Sequence, residues 1–155
     1  MVNVWEHLFL NGEFAPREHI LRGLTSEQAG VRPSGAPHSI YEELWHAATW
    51  QHIVLRRDEA ALTRWENAGQ FPPTPAPEDE GTWQELVGVF LEDSAHAIKL
   101  AEDEAWLDTI EDDDNPGFTW RNALEVLAVH SAYHLGKIVL LRQISGLWEP
   151  EPENA

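Results

Sequence analysis

Apolar side chains recur every three or four residues along three long segments of the chain, which is the periodicity of helices that bury one face. These segments cover residues 39–65, 82–102 and 119–145. Ser39 and Thr82 are followed three residues later by glutamate, a pattern typical of helix N-termini, and Gly69 with the proline-rich stretch 71–77 separates the first two segments. The pattern predicts three long amphipathic helices.

The N-terminal region has the same periodicity in shorter pieces. A capping pattern at Asn3 predicts a first helix that ends at Asn11-Gly12, and Pro16 predicts a second that reaches about Gly23. Residues 25–30 predict one further helical turn. Because no stretch alternates as a strand would, we expect an all-α four-helix bundle whose N-terminal helix is broken.

Length and charge narrow the classes of function. The 155 residues predict one domain over residues 1–149, followed by a short acidic tail over 150–155. With 27 acidic and 10 basic residues the formal net charge is −17, which repels nucleic-acid backbones and anionic lipid. No uninterrupted run of about 18 apolar residues suggests a membrane span. The lack of cysteine and of a leader pattern is typical of a cytoplasmic protein.

Two histidines on the last predicted helix are the most informative polar residues. His130 and His134 are four residues apart, so both imidazoles lie on one helix face and can reach one metal ion. Both lie toward the apolar stripe, where a buried imidazole needs a partner. From these residues alone, a metal site and a hydrogen-bonded pair of core histidines both remain open.

His46, on the helix that follows Ser39, is a third candidate ligand. Its neighbours Glu42 and Glu43 favour capping and surface-charge roles, Glu42 more strongly, although either is also a candidate to hydrogen-bond the far nitrogen of a ligating histidine. Trp50, one turn after His46, is a candidate for the mouth of a pocket. His38 precedes the start of the same helix, so it is a candidate to approach the site as well. The remaining histidines, of which three favour surface positions, are His7, His19, His52 and His96.

Three segments in this order resemble the DinB-like (DinB/YfiT) superfamily of metal-binding four-helix bundles. They are residues 23–33 (GLTSEQAGVRP), 38–50 (HSIYEELWHAATW) and 130–146 (HSAYHLGKIVLLRQISG). The resemblance implies a divalent metal, commonly zinc, nickel or iron, held by His46, His130 and His134. It also implies frequent homodimers, and activities that include thiol transfer and thiol-dependent isomerisation.

One position departs from the family pattern. Leu135 follows the last histidine, where relatives often carry a basic residue that would suit an anionic thiol. Lys137 and Arg142 are the remaining candidate anion contacts on this helix.

We therefore expect a cytoplasmic metal-binding bundle, with metal-bound water or thiol as the reactive group, that transfers a low-molecular-weight thiol to a small electrophilic substrate. A metal-dependent hydrolase and a non-catalytic metal-binding or dimerisation module are the alternatives.

Overall fold

Side-chain caps define where the long helices begin in the computed structural model, which describes residues 3–12 and 14–150. Ser39 and Thr119 each form a reciprocal capping box with the residue three positions later. The helix predicted over residues 82–102 begins earlier than predicted, because Asp79 rather than Thr82 is the cap and accepts a hydrogen bond from the Thr82 amide.

Eight helices follow one another along the described residues. They are α1 (Val4–Phe9), α2 (Arg17–Leu21), α3 (Ser26–Ala29), α4 (Ile40–Arg56), α5 (Glu59–Asn67), α6 (Glu80–Leu100), α7 (Glu104–Leu107) and α8 (Trp120–Ile144). No strand occurs in residues 3–12 and 14–150. The four main helices pack together, so the expectation of an all-α bundle is confirmed, as is the break in the N-terminal helix.

The prediction of one continuous helix over residues 39–65 is wrong. Arg57 adopts a left-handed backbone conformation (φ 54°, ψ 40°), which ends α4. Asp58 then caps α5 by accepting a hydrogen bond from the Ala61 amide. The chain therefore turns between α4 and α5, and α5 folds back beside α4.

Helix α4 is central and packs on both α6 and α8. Its first half shares a core cluster with Leu135 and Ile138 of α8, whereas Leu55 near its end packs with Leu124 and Leu127. The two helices are therefore antiparallel. This arrangement brings the first half of α4 beside the middle of α8, where the candidate ligands lie.

A buried arginine joins the broken N-terminal helix to the rest of the bundle. Arg17 of α2 is 3% exposed and donates hydrogen bonds to Gln51 Oε1 (3.1 Å) and Ser94 Oγ (2.9 Å). Its guanidinium also lies 5.0 Å from the ring centroids of Phe9 and Phe90. Burial lowers the pKa of Arg17 to about 9, so the side chain stays charged at neutral pH.

Helix α8 is long and apolar enough to cross a membrane by length and composition, since its most apolar stretch has a mean hydropathy of 1.3, and 44% of that stretch is buried inside the bundle. Core helices of water-soluble bundles meet the same criterion, so the expectation of no membrane contact stays a prediction. Residues 151–155, which make up most of the predicted acidic tail, lie outside the described residues.

Candidate metal centre

Antiparallel packing of α4 and α8 brings His46, His130 and His134 together. Each offers a ring nitrogen, and these three atoms lie within 4.8 Å of one another. The Nε2 atoms of His46 and His130 are 3.1 Å apart. All three side chains are buried or half-buried, so water competes little for their nitrogens.

The outer hydrogen bonds of two histidines define their tautomers. His46 Nδ1 lies 2.8 Å from the main-chain oxygen of Gln70, which can only accept, so Nδ1 carries the proton. His134 Nδ1 lies 2.6 Å from Oε2 of Glu43, and donates to that carboxylate in the same way. In the neutral form of either ring, the Nε2 lone pair then faces the other two histidines, as a metal ligand requires.

His130 completes the cluster without an outer partner. Its Nδ1 is buried and has no hydrogen-bond partner among the described residues. Burial, together with the charges that His134 and His46 would carry, lowers the pKa of His130 to about 4, so the ring is neutral near pH 7. Three imidazoles in this arrangement fit a borderline divalent cation, since such a cation would satisfy nitrogen lone pairs that face one another.

Glu43 supplies a buried negative charge beside the cluster. It is 2% exposed and its carboxylate accepts hydrogen bonds from His134, from His38 Nδ1 (3.0 Å) and from Lys137 Nζ (3.4 Å). Burial opposes ionisation, but the bond from His134 and the charge of Lys137 outweigh it, so the pKa of Glu43 lies below its usual range. The surface role that the sequence favoured for Glu43 is wrong.

Glu42 is equally buried but serves a different purpose. Its carboxylate accepts a hydrogen bond from the Ser39 amide and pairs with Arg32. The predicted capping role of Glu42 is confirmed, whereas its predicted surface exposure is not. Of these two adjacent glutamates, Glu42 therefore caps the start of α4, whereas Glu43 contacts the histidines.

An aromatic wall covers the cluster. Phe71 stacks on His46 (4.7 Å between ring centroids) and on His38 (4.0 Å). Trp65 of α5 lies 5.5 Å from His46 and stacks on Trp50 at 5.0 Å. The wall depends on the turn at Arg57, because a straight helix would place Trp65 about 28 Å from His46.

The other candidates divide between the site and the scaffold. Trp50 lies one helical turn after His46 on α4. It lines an apolar cavity of about 370 Å³ between α4, α5 and α8. Arg142 does not reach the cluster, because it is 5% exposed and donates to the main-chain oxygens of Ile20 and Leu147. His52 pairs with Asp93 of α6 and lies outside the triad.

Sequence reasoning missed Gln70 and Phe71. Gln70 acts through its main-chain oxygen, so its residue type carries no signal. Gly69 and Gln70 both have positive φ (68° and 70°), and this turn directs the carbonyl toward His46. An aromatic residue at the start of the proline-rich stretch was the available signal for Phe71.

Three nitrogen ligands leave coordination positions open, which is typical of catalytic rather than structural metal sites. A search of curated proteins and a search of solved structures each found no match. The sequence model of the DinB superfamily matches residues 17–138, a range that contains all three histidines. The chain belongs to the DinB superfamily.

Proposed function

We propose that the chain binds one divalent metal ion through His46, His130 and His134 and transfers a small thiol to an electrophilic substrate. The observation that carries the proposal is the orientation of two rings, in which the outer hydrogen bonds to Gln70 and Glu43 turn the Nε2 atoms of His46 and His134 toward each other and toward His130. Two rings oriented from outside in this way match the outer hydrogen bonds of metal-ligating histidines.

The residues around the cluster have distinct roles in this proposal. When bound, a divalent metal lowers the pKa of a coordinated thiol or water, so that a nucleophile forms near neutral pH. Glu43 holds the tautomer of His134 and offsets part of the cation's charge. Phe71 and Trp65 exclude water from one side of the cluster.

Lys137 supports a thiol rather than water as the nucleophile. Low-molecular-weight thiols carry carboxylates or phosphates, and the net charge of −17 repels them at a distance. Lys137 is 34% exposed and lies 3.4 Å from Glu43, beside His134, where its ammonium group can contact such an anion. It therefore provides the local cation that Leu135 does not.

Metal content is the first test. Protein purified without a histidine tag should contain one metal ion per chain by elemental analysis, and His134→Ala should lose it. His96→Ala is the matched control, because His96 lies on α6 outside the triad. Full occupancy in the His134 variant would refute the ligand assignment.

Activity is the second test. The metal-loaded chain should join glutathione, bacillithiol, mycothiol or coenzyme A to an epoxide or haloarene, whereas the metal-free chain and His46→Ala should not. Metal-dependent ester or amide cleavage without thiol transfer would instead assign a hydrolase. Metal binding without either activity would favour the non-catalytic module.

A further inference from the structure

Helices α5 and α6 both pack on α4 and leave a groove between them. The groove has a volume of about 340 Å³, which is large enough for a small organic molecule. Its lining includes Ala48 of α4 and Ala61 of α5, whose short side chains leave this space open. The three histidines of the candidate metal centre do not line it, so the groove is a separate site.

Three aromatic side chains line the groove. Tyr41 and Trp45 come from α4, and Trp65 comes from α5. Tyr41 is 8% exposed, yet its side chain forms no hydrogen bond within the part of the chain that the structure describes. Burial raises the pKa of Tyr41, so its hydroxyl group keeps its proton at neutral pH. The aromatic lining therefore offers ring faces together with one unused hydroxyl group.

Two hydrogen-bond acceptors face each other in the same groove. His52 Nδ1 lies 2.7 Å from Oδ2 of the buried Asp93, a carboxylate that accepts, so in the neutral form of the ring Nε2 is an acceptor. Asp58 uses Oδ1 to cap α5, and its Oδ2 lies 3.6 Å from His52 Nε2. This distance is too long for a hydrogen bond. Both atoms are therefore available to a donor from a ligand.

A primary ammonium group supplies the donors that this pair lacks. It has three N–H groups, so one ligand can donate to both acceptors, whereas a hydroxyl group has a single O–H. Charge favours a cation as well. The carboxylates of Asp58 and Glu85 line the groove, against the exposed guanidinium of Arg64, and the net charge of −17 attracts cations from a distance.

The spacing of the two features along α4 sets the size of the ligand. Trp45 precedes His52 by seven residues, which is about 10 Å of helix. An aromatic ring system joined to an amine by a short aliphatic chain spans most of this distance. Aromatic side chains stack on such rings and attract organic cations.

We propose that the groove between α4, α5 and α6 binds an arylalkylamine whose ammonium group lies between His52 and Asp58. The ring of the ligand packs against Trp45 and Trp65. The groove shares only Trp65 with the aromatic wall of the candidate metal centre, and the proposal does not depend on the metal chemistry.

Isothermal titration calorimetry of the full chain with tryptamine tests the proposal. We expect a dissociation constant in the range of about 10 µM to 1 mM, which is typical of a ligand of this size. Tryptophol, in which a hydroxyl group replaces the ammonium group, should bind at least about 10-fold more weakly, because it has one donor and no charge. Ethylamine, which lacks the ring, should also bind at least about 10-fold more weakly.

Asp58→Asn should weaken tryptamine binding at least about 10-fold and leave the fold intact, because asparagine still caps a helix but has no charge. Asp103→Asn is the matched control. Asp103 caps α7 through the same kind of hydrogen bond, but it lies outside the groove, so this variant should retain native affinity. Trp45→Leu should weaken tryptamine binding about 3–10-fold, because it removes a ring that contacts the ligand.

Titration in the presence of a metal chelator separates the groove from the histidine cluster, and the affinity for tryptamine should not change. Loss of binding with the chelator would place the amine at the histidines and overturn the proposal. Equal affinity for tryptamine and tryptophol would overturn the ammonium site. So would the absence of tryptamine binding, native affinity in Asp58→Asn, or equal weakening in Asp58→Asn and Asp103→Asn.

Discussion

Replacing Glu43 by glutamine should weaken metal binding while leaving the fold intact. Glutamine has the shape of glutamate but no charge, so it removes the negative charge 2.6 Å from His134 Nδ1. Loss of such an outer partner typically costs 10–100-fold in metal affinity, which corresponds to about 1.4–2.8 kcal/mol. We expect the upper half of this range, because Glu43 is 2% exposed and little solvent screens it.

Glu42→Gln is the matched control. Glu42 is the preceding residue and is also 2% exposed, but it contacts Ser39 and Arg32 instead of a histidine. Glutamine still serves at the third position of a capping box, so the control should retain native metal affinity. Competition of each protein with a fluorescent zinc chelator measures the dissociation constant, and urea unfolding of the metal-free proteins measures stability.

Two results would refute the reasoning. Native affinity in Glu43→Gln would show that the carboxylate does not act on the metal through His134. Equal weakening in both variants would show that the effect comes from the start of α4 rather than from the histidine. A change confined to Glu43→Gln, at similar stability, is the expected result.

Four further substitutions test the fold and the ionisation state. In metal-free protein, the lowered pKa of His130 means that the unfolded chain binds more protons than the folded chain between about pH 6.5 and pH 4. The free energy of unfolding should therefore be full above about pH 6.5 and fall toward pH 4 by up to about 1.4 kcal/mol per pH unit. Urea unfolding at several pH values should show a weaker pH dependence of this free energy for His130→Asn. Gly30→Ala should lower the free energy of unfolding by about 1–3 kcal/mol, since its Cβ would lie 2.4 Å from the Cβ of Ala76. Gly88→Ala, in open space on α6, should raise it by up to about 1 kcal/mol in the same assay. Trp83→Phe should lower the free energy of unfolding by about 1–3 kcal/mol, because it leaves a buried main-chain oxygen unpaired, and an unchanged melting temperature would contradict this.

Local patterns were enough to predict most of the helical framework. The predicted helix over 119–145 matches Trp120–Ile144, because one apolar period runs between a capping residue and a glycine. The four-residue spacing of His130 and His134 likewise predicted that both rings share a face. These features are determined by residues that are close together in the sequence, so the sequence alone predicts them.

The remaining features depend on contacts between distant segments. A left-handed arginine at position 57 has no residue-type signal, although Asp58 before an apolar run was an overlooked cap. The burial of Glu43 could not be predicted either, since its hydrogen-bond partner His134 lies 91 residues away. The carbonyl of Gln70 is present in any residue, so only the backbone path reveals its role.

The turn at Arg57 brings residues that are not candidate ligands against the helices that carry the histidines. The three histidines belong to α4 and α8, whereas the aromatic wall comes from α5 and the segment after it. That segment orients His46 through the main-chain oxygen of Gln70 and the stacked ring of Phe71, and only the first of these is independent of residue type. Under the proposed function, side-chain changes between the turn and Phe71 would alter access to the three histidines while leaving the ligands themselves unchanged.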